Sequence, residues 1–252
     1  MTRLLVVAGH DPTSGAGVDA DLEAARRAGV EATCVVTAWT DQDGERVRAL
    51  GARPVEEWER EARAAFRSPV QGLKSGLLPG AEHVRALARL IDEHARDLPV
   101  VVDPVLAASG GEPFLDAAGV GALLAELVPR GVILTPNLLE AARLTGIDFE
   151  RLRDSRTARL DAARALLAAG CRAALVKGGH GAGDTVEDLV LERERPPVWL
   201  VRPRVHGARV HGSGCRYAAL VASELARGAE LVAAAEAAGA WLGELFRSRR
   251  SV

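Results

Sequence analysis

A short glycine-rich segment in front of a helical stretch has the composition of an anion-binding site. It reads HGSGC at 211–215, and the alanine-rich stretch 216–227 follows directly. Small residues leave the backbone N–H groups at the start of a helix free to converge on an anion, and the helix dipole adds to the attraction. Cys215 lies in the first helical turn, where the pKa of a thiol is lowered and the thiolate can act as a base or nucleophile. The pattern predicts a phosphate site beside a reactive cysteine.

Polar residues that follow three predicted strands supply further parts of phosphoryl-transfer chemistry. Asp103 and Glu140 carry hard oxygen ligands of the kind that Mg²⁺ takes together with water and phosphate oxygens. Lys177 offers a compact positive charge for phosphate, and Gly179 after it lets the backbone approach closely. Each has a simpler explanation, since Asp103 or Asn137 could cap a helix and Lys177 could end a strand in solvent. The pentapeptide alone is likewise more typical of a turn with a packed cysteine.

These residues need a scaffold that brings the ends of several strands together, and the hydrophobic pattern predicts one. Apolar stretches alternate with amphipathic ones, as expected for a mostly parallel sheet with helices on both faces, where ligands bind beyond the carboxyl ends of the strands. The pattern breaks once, between Val186 and Pro203, where it predicts an antiparallel hairpin at one edge. The predicted strands are 3–8, 32–39, 99–103, 132–135 and 173–177, and the predicted helices are 18–28, 82–96, 117–128, 156–169, 213–226 and 229–247.

Composition restricts the class of protein. A chain of 252 residues with 48% hydrophobic residues and a net charge of -2 predicts one globular domain over 1–252. A near-neutral charge without a sustained basic patch argues against nucleic acid as a partner, and no stretch is apolar enough to predict a membrane span. Three widely separated cysteines without a CxxC pair argue against a disulfide framework or structural zinc, so we expect a cytoplasmic protein.

Cys215 needs help if it is to act as a base. Bringing a thiol pKa from about 8.5 to near 7 takes about 2 kcal/mol, whereas a helix terminus contributes about 0.3–1 kcal/mol. A nearby cation would supply the difference, and Arg216 follows in the sequence, although its direction cannot be read there. Alternatively the thiol stays protonated, because a loose phosphoryl-transfer transition state asks little of the nucleophile until late.

Motifs along nearly the whole chain resemble the hydroxymethylpyrimidine/phosphomethylpyrimidine kinases of thiamine biosynthesis, in the ribokinase-like superfamily. They are, in order, GHDPTSGAGVDADL from Gly9, then Gln42, VVDPV, LTPNLLEA, VKGGH and HGSGC. The cysteine that ends the last motif is typical of the pyrimidine and pyridoxal kinase branch, because sugar kinases usually have aspartate there. The resemblance implies a ribokinase-like three-layer α/β/α sandwich with a mostly parallel central sheet and an antiparallel edge hairpin. It also implies ATP-dependent phosphorylation of 4-amino-5-hydroxymethyl-2-methylpyrimidine or its monophosphate with Mg²⁺, and we expect a homodimer.

The same resemblance implies a role for each matching residue. Cys215 is the implied catalytic residue, facing the hydroxymethyl group, and Lys177 contacts the ATP phosphates. Asp103 and Glu140, with Asn137, arrange magnesium and its waters. The implied anion hole comprises Gly212, Ser213, Gly214 and Cys215; the implied pyrimidine contacts are Gly9, Asp21, Gln42, Leu77 and Val105; and the implied nucleotide contacts are Lys177, Asn137, Gly179 and His211.

Several positions depart from the family pattern. The stretch 206–210 reads HGARV in place of a polar Asp-Thr-x-Asn-Thr-like sequence, Leu77 replaces a usual methionine, and Ser109 replaces a familiar lysine. Arg216 and Tyr217 stand where small or apolar residues are customary. These changes affect the nucleotide side and the lid more than the pyrimidine side. Two alternatives to the pyrimidine kinase therefore stay open, namely a pyridoxal-type kinase and a pyrimidine-binding module with weak or no kinase activity.

Overall fold

One mostly parallel sheet of nine strands forms the centre of the described structure. The computed structural model describes residues 1–42, 47–108 and 110–249. The strands are β1 (Arg3–His10), β2 (Glu31–Gln42), β3 (Val47–Ala52), β4 (Gly72–Ser75), β5 (Val100–Val102), β6 (Ile133–Leu134), β7 (Ala173–Val176), β8 (Thr185–Glu192) and β9 (Val198–Pro203). Their order across the sheet is β3-β2-β1-β4-β5-β6-β7-β8-β9.

Helices cover both faces of this sheet. They are α1 (Gly17–Arg27), α2 (Val55–Ala65), α3 (Ala81–His94), α4 (Ala117–Ala122), α5 (Leu138–Thr145), α6 (Phe149–Asp154), α7 (Arg156–Ala168), α8 (Ser213–Ala226) and α9 (Leu231–Ser248). After α4 the chain continues as a π-helical turn, Leu123–Leu127, and a 3₁₀ turn, Val128–Arg130, where the sequence predicted one helix ending at 128. No helix in the described ranges is both long and apolar enough to cross a membrane.

Alternate residues of the central strands face two separate hydrophobic cores. In β1, Leu5 and Val7 pack in the core formed with α2, α3, α5 and α7, whereas Leu4 and Val6 pack in the core formed with α1, α8 and α9. Every residue of β4 and β5 is buried, because helices cover both faces of a parallel sheet. The three-layer α/β/α sandwich implied by the family resemblance is therefore confirmed.

Antiparallel pairing occurs at both edges of the sheet, whereas the sequence predicted it at one. The predicted hairpin is present as β8 and β9, and β8 also runs antiparallel to β7. At the opposite edge β3 runs antiparallel to β2. The sequence analysis missed β3 because this edge strand is largely exposed and has a weak apolar pattern. It missed β4 because only four residues, one of them Lys74, form a strand that its neighbours bury.

The parallel strands deliver the predicted polar residues to one edge of the sheet. Strands β1, β4, β5, β6 and β7 run parallel to their neighbours in this series, so their carboxyl ends lie side by side. Asp103 follows β5, Thr135 follows β6 and Lys177 follows β7. Ser109, which replaces a lysine of the family pattern, lies outside the described residues.

The missed helix α2 provides a test of core packing through Trp58, whose side chain is fully buried. Trp58→Ala should lower the free energy of unfolding by about 3–5 kcal/mol, because the lost apolar contacts leave a cavity. Urea denaturation measures this change. The control is Trp39→Ala. Trp39 is 51% exposed, and within the described chain its ring contacts one cationic group, the Arg53 guanidinium. The control substitution should cost less than about 1 kcal/mol, and equal losses in the two variants would contradict this account.

Candidate active site

Two clefts of about 380 Å³ each open at the carboxyl edge of the sheet and meet at the start of α8. The first cleft lies against the loop after β1, and the second lies against the end of the β8–β9 hairpin and α9. The residues that line both are Asn137, Lys177, His180, Ser213 and Gly214. Ligands bound in the two clefts would therefore meet beside Lys177 and the first turn of α8.

Most of the predicted site residues line these clefts. The first cleft is lined by Gly9, Gln42, Leu77, Val105, Asp103, Glu140, His211, Gly212 and Cys215, together with the residues common to both. Gly179 lines the second cleft. His211, an implied nucleotide contact, lines the first cleft instead, where its Nε2 lies 2.7 Å from Asp11 Oδ2.

The segment 212–215, at the start of α8, presents backbone N–H groups that have no acceptor within the described chain. Gly212 adopts a left-handed conformation with φ of 71°, and a Cβ there would collide with the Gly15 carbonyl. The Ser213 N–H donates to the Val210 carbonyl at 3.2 Å, and the Arg216 N–H donates to the Gly212 carbonyl at 3.0 Å. Within the described chain the N–H groups of Gly214 and Cys215 have no such acceptor, so they can receive an anion.

Lys177 and Asp103 form a largely buried ion pair at the point where the clefts meet. Lys177 Nζ donates to Asp103 Oδ1 at 2.7 Å, and the Thr135 hydroxyl donates to the same oxygen at 3.2 Å. Burial lowers the pKa of Lys177, but the carboxylates of Asp103 and Glu140 raise it by a larger amount. The net shift of the pKa is upward, so the ammonium keeps its charge. A Cβ on Gly214 would lie 3.3 Å from Lys177 Nζ, which places this charge against the anion-binding backbone.

Glu140 combines a capping role with a place in the first cleft. Asn137 Oδ1 accepts from the Glu140 N–H at 2.9 Å, and Glu140 Oε2 accepts from the Asn137 N–H at 2.7 Å, forming a capping box at the start of α5. The simpler explanation of Asn137 as a helix cap is thus confirmed. Burial raises the pKa of Glu140 to about 8, with Asp103 adding to the shift and Lys177 opposing it.

The donor set fits a magnesium ion that keeps water or phosphate ligands. Asp103 Oδ2 and Glu140 Oε1 have no hydrogen-bond partner within the described chain. Two carboxylates face one ammonium, so a divalent cation would relieve the repulsion that raises the pKa of Glu140. No group of three or more His, Cys, Asp or Glu side chains suited to a metal occurs in the described ranges. Magnesium commonly uses only one or two carboxylates and completes its shell with water and phosphate oxygens.

A second buried ion pair changes the predicted role of Asp21. Its carboxylate accepts from Lys74 Nζ at 2.8 and 2.7 Å, and both side chains are fully buried. Lys74 lines the first cleft, whereas Asp21 lines neither, so Asp21 reaches the cleft only through Lys74. Asp21, an implied pyrimidine contact, is therefore placed behind the cleft in this structure, among the buried residues of α1.

Lys74 is the site residue that the sequence analysis did not assign. One signal was available, since only Lys74 and Lys177 are lysines among the 32 lysine and arginine residues of the chain. Both lie at this site. A compact ammonium suits positions where the planar guanidinium of arginine would not fit, and a Cβ on Gly76 would already lie 2.8 Å from Lys74 Nζ.

The protonation state of Cys215 differs from the prediction. Burial raises the pKa of its thiol to about 11, Lys74 opposes the shift, and Asp21 and Asp103 add to it. The expected lowering of the thiol pKa is therefore wrong for this structure, because burial and two carboxylates outweigh the opposing effects of Lys74 and of the Gly17 N–H. Arg216 is not the neighbouring cation, since its guanidinium bonds to Glu23 and to two carbonyls behind the site.

Comparison with known proteins agrees with this arrangement. A protein named hydroxymethylpyrimidine/phosphomethylpyrimidine kinase from Streptomyces coelicolor is 39% identical over 93% of this chain and 85% of its own length. The crystal structure of phosphomethylpyrimidine kinase from Clostridium difficile superposes with a TM-score of 0.81 at 25% identity, covering 97% of this chain and 99% of that one. An ADP complex of Bacillus subtilis pyridoxal kinase superposes with a TM-score of 0.84 at 26% identity, covering 95% and 89%.

A sequence model of one family extends over almost the entire chain. The model describes phosphomethylpyrimidine kinase and matches residues 11–252. The match includes the loop after β1, both lysines and the anion-binding segment, which the structure brings together at the two clefts. This chain belongs to the phosphomethylpyrimidine kinase family.

Proposed function

We propose that this protein transfers the terminal phosphoryl group of ATP to 4-amino-5-hydroxymethyl-2-methylpyrimidine and then to its monophosphate. The observation that carries this proposal is the meeting of two clefts at Lys177 and the first turn of α8. Cys215 lines only the first cleft, so the acceptor hydroxyl belongs there and ATP belongs in the second. The names of the relatives support the pyrimidine acceptor and its place in thiamine biosynthesis.

The first cleft has the polarity that an aminopyrimidine requires. Gln42 Nε2 donates to the Thr40 hydroxyl at 2.7 Å, and this hydroxyl donates to the His10 carbonyl at 3.1 Å. The Gln42 amide is thereby oriented, and its Oε1, which has no donor among the described residues, can accept a hydrogen bond from the ring amino group. Leu77 and Val105 supply apolar surface for the ring.

Phosphoryl transfer would depend mainly on positioning and on neutralising charge. Lys177 and the N–H groups of Gly214 and Cys215 would hold the oxygens of the moving group. Asp103 and Glu140 would hold Mg²⁺, which neutralises phosphate charge when bound. The raised pKa of Cys215 favours a route in which the thiol orients the hydroxyl and the hydroxyl keeps its proton until bond formation is advanced.

Mass spectrometry of the products tests the proposed function. Purified protein is incubated with Mg-ATP and the hydroxymethylpyrimidine, and pyridoxal is supplied in a parallel reaction. We expect a pyrimidine monophosphate followed by a diphosphate, with much slower turnover of pyridoxal. Faster phosphorylation of pyridoxal would replace the proposed acceptor, and binding of the pyrimidine without product would favour the binding-module alternative.

Cys215→Ala should lower kcat by about 100-fold or more, because the side chain that faces the acceptor hydroxyl is lost. ATP binding, measured by calorimetry, should stay at the wild-type level. Cys215→Ser should retain more activity than the alanine variant, since a hydroxyl can still orient the acceptor. Cys34→Ala is the control, because Cys34 lines neither cleft. Unchanged turnover in Cys215→Ala would remove this residue from the mechanism.

Glu140→Gln should raise the Mg²⁺ concentration that gives half-maximal velocity by about 10-fold, because Mg²⁺ binds an ionised carboxylate more strongly than a neutral amide oxygen. The glutamine oxygen can still accept from the Asn137 N–H, so the start of α5 is preserved. A titration of initial rate against Mg²⁺ at saturating ATP measures the effect. Glu126→Gln should have no effect, since Glu126 pairs with Arg85 away from both clefts. The same magnesium requirement in both variants would exclude Glu140 as a ligand.

A further inference from the structure

Arg216 is a buried arginine that connects two loops of the site without lining either cleft. Arg216 is only 5% exposed, and its Nε donates to Glu23 Oε2 at 2.7 Å. One terminal nitrogen, Nη1, donates to the carbonyls of Gly15 at 2.8 Å and His211 at 2.7 Å. The guanidinium thus holds the loop before α1 and the loop before α8 together from behind.

Holding these two carbonyls also determines where two N–H groups point. In a planar trans peptide the C=O and the following N–H point in opposite directions, and the described residues contain no cis peptide. The Gly15 carbonyl shares its peptide plane with the Ala16 N–H, and the His211 carbonyl shares its plane with the Gly212 N–H. Ala16 and Gly212 line the first cleft and Arg216 does not, so we infer that the two N–H groups, which point away from the carbonyls held by Arg216, are directed toward that cleft.

These two N–H groups are available to a ligand and depend on the guanidinium for their direction. Neither has a hydrogen-bond acceptor within the described part of the chain. Glycines at 15 and 212 adjoin the two peptide planes, and glycine leaves the backbone more freedom to rotate than any other residue. The bonds from Arg216 therefore help to keep both planes in this orientation, and at His211 they act together with the turn in which the Ser213 N–H donates to the Val210 carbonyl.

The position of the pair indicates which phosphate it would bind. Ala16 and Gly212 line the first cleft only, whereas Ser213 and Gly214 line both clefts. The pair therefore lies on the acceptor side of the anion hole, where the Lys74 ammonium also lines the cleft. An acceptor that already carries a phosphate must place it on this side, because its terminal oxygen has to reach the group being transferred.

We propose that Arg216 is a positioning residue for the second phosphorylation, aiming the N–H groups of Ala16 and Gly212 at the phosphate of a monophosphorylated acceptor. This inference rests on the proposed function and deepens it. In the first phosphorylation the acceptor is an uncharged alcohol and brings no phosphate to this pair. Arg216 thus favours the second step specifically, although it touches neither substrate.

The test compares the two half-reactions in Arg216→Lys. Lysine keeps a positive charge near Glu23 but lacks the planar fork that holds two carbonyls and a carboxylate together. We measure kcat/KM for the alcohol and for the monophosphate separately, each with saturating Mg-ATP, in one preparation. The kcat/KM for the monophosphate should fall about 10- to 100-fold, because the N–H donors for its phosphate are displaced. The kcat/KM for the alcohol should stay near the wild-type value. The ratio of these two kcat/KM values does not depend on the fraction of the protein that is folded, because both are measured in one preparation.

Glu23→Gln is the matched control, because it removes the ion pair and leaves the guanidinium on both carbonyls. It should retain the wild-type ratio of the two half-reactions. An unchanged ratio in Arg216→Lys, equal losses in both half-reactions, or the same altered ratio in Glu23→Gln would overturn the role of Arg216. A wild-type protein that phosphorylates the alcohol alone would overturn it as well. A wild-type protein that turns over neither acceptor would instead contradict the proposed function itself.

Discussion

Two buried lysine–carboxylate pairs are the interaction on which the rest of the site depends. Lys74 with Asp21 joins β4 to α1, and Lys177 with Asp103 joins the ends of β7 and β5. Removing either partner would leave a buried charge uncompensated, which is far more costly than keeping the pair intact. The parallel sheet makes the pairs possible, because it places the ends of these strands side by side and excludes water from them.

The balance of charge around these pairs suits anionic ligands and a divalent cation. Three carboxylates, those of Asp21, Asp103 and Glu140, surround the two ammonium groups. Burial raises the pKa values of Glu140 and Cys215, and the nearby carboxylates add to the shift. The anion site must therefore draw on backbone N–H groups as well as on lysine, which explains why small residues precede α8. A magnesium ion bound with the nucleotide would offset part of this negative charge.

Two departures from the family pattern, Arg216 and Tyr217, are accommodated in the structure and do not block the clefts. Arg216 is turned behind the anion-binding segment, and Tyr217 is buried beside Asp188 and Arg202 under the second cleft. Asp188 accepts from the Gly178 N–H at 2.7 Å and from Arg202 at 2.6 Å, so this buried carboxylate fixes the turn that follows Lys177. Arg216 and Tyr217 thus belong to the framework that holds the catalytic groups.

The sequence alone determined the layered α/β fold and the helix 213–226 to the residue, because hydrophobic periodicity is a local property. Most of the site residues that it indicated, through polar residues after strands and through the family motifs, line the clefts. Only the tertiary structure decided that β3 adds a second antiparallel edge, that Lys74 and not Asp21 reaches the cleft, and that Arg216 points away from Cys215. It also reversed the expected shift in the pKa of the Cys215 thiol. These outcomes depend on burial and on charges distant in sequence, which local composition does not encode.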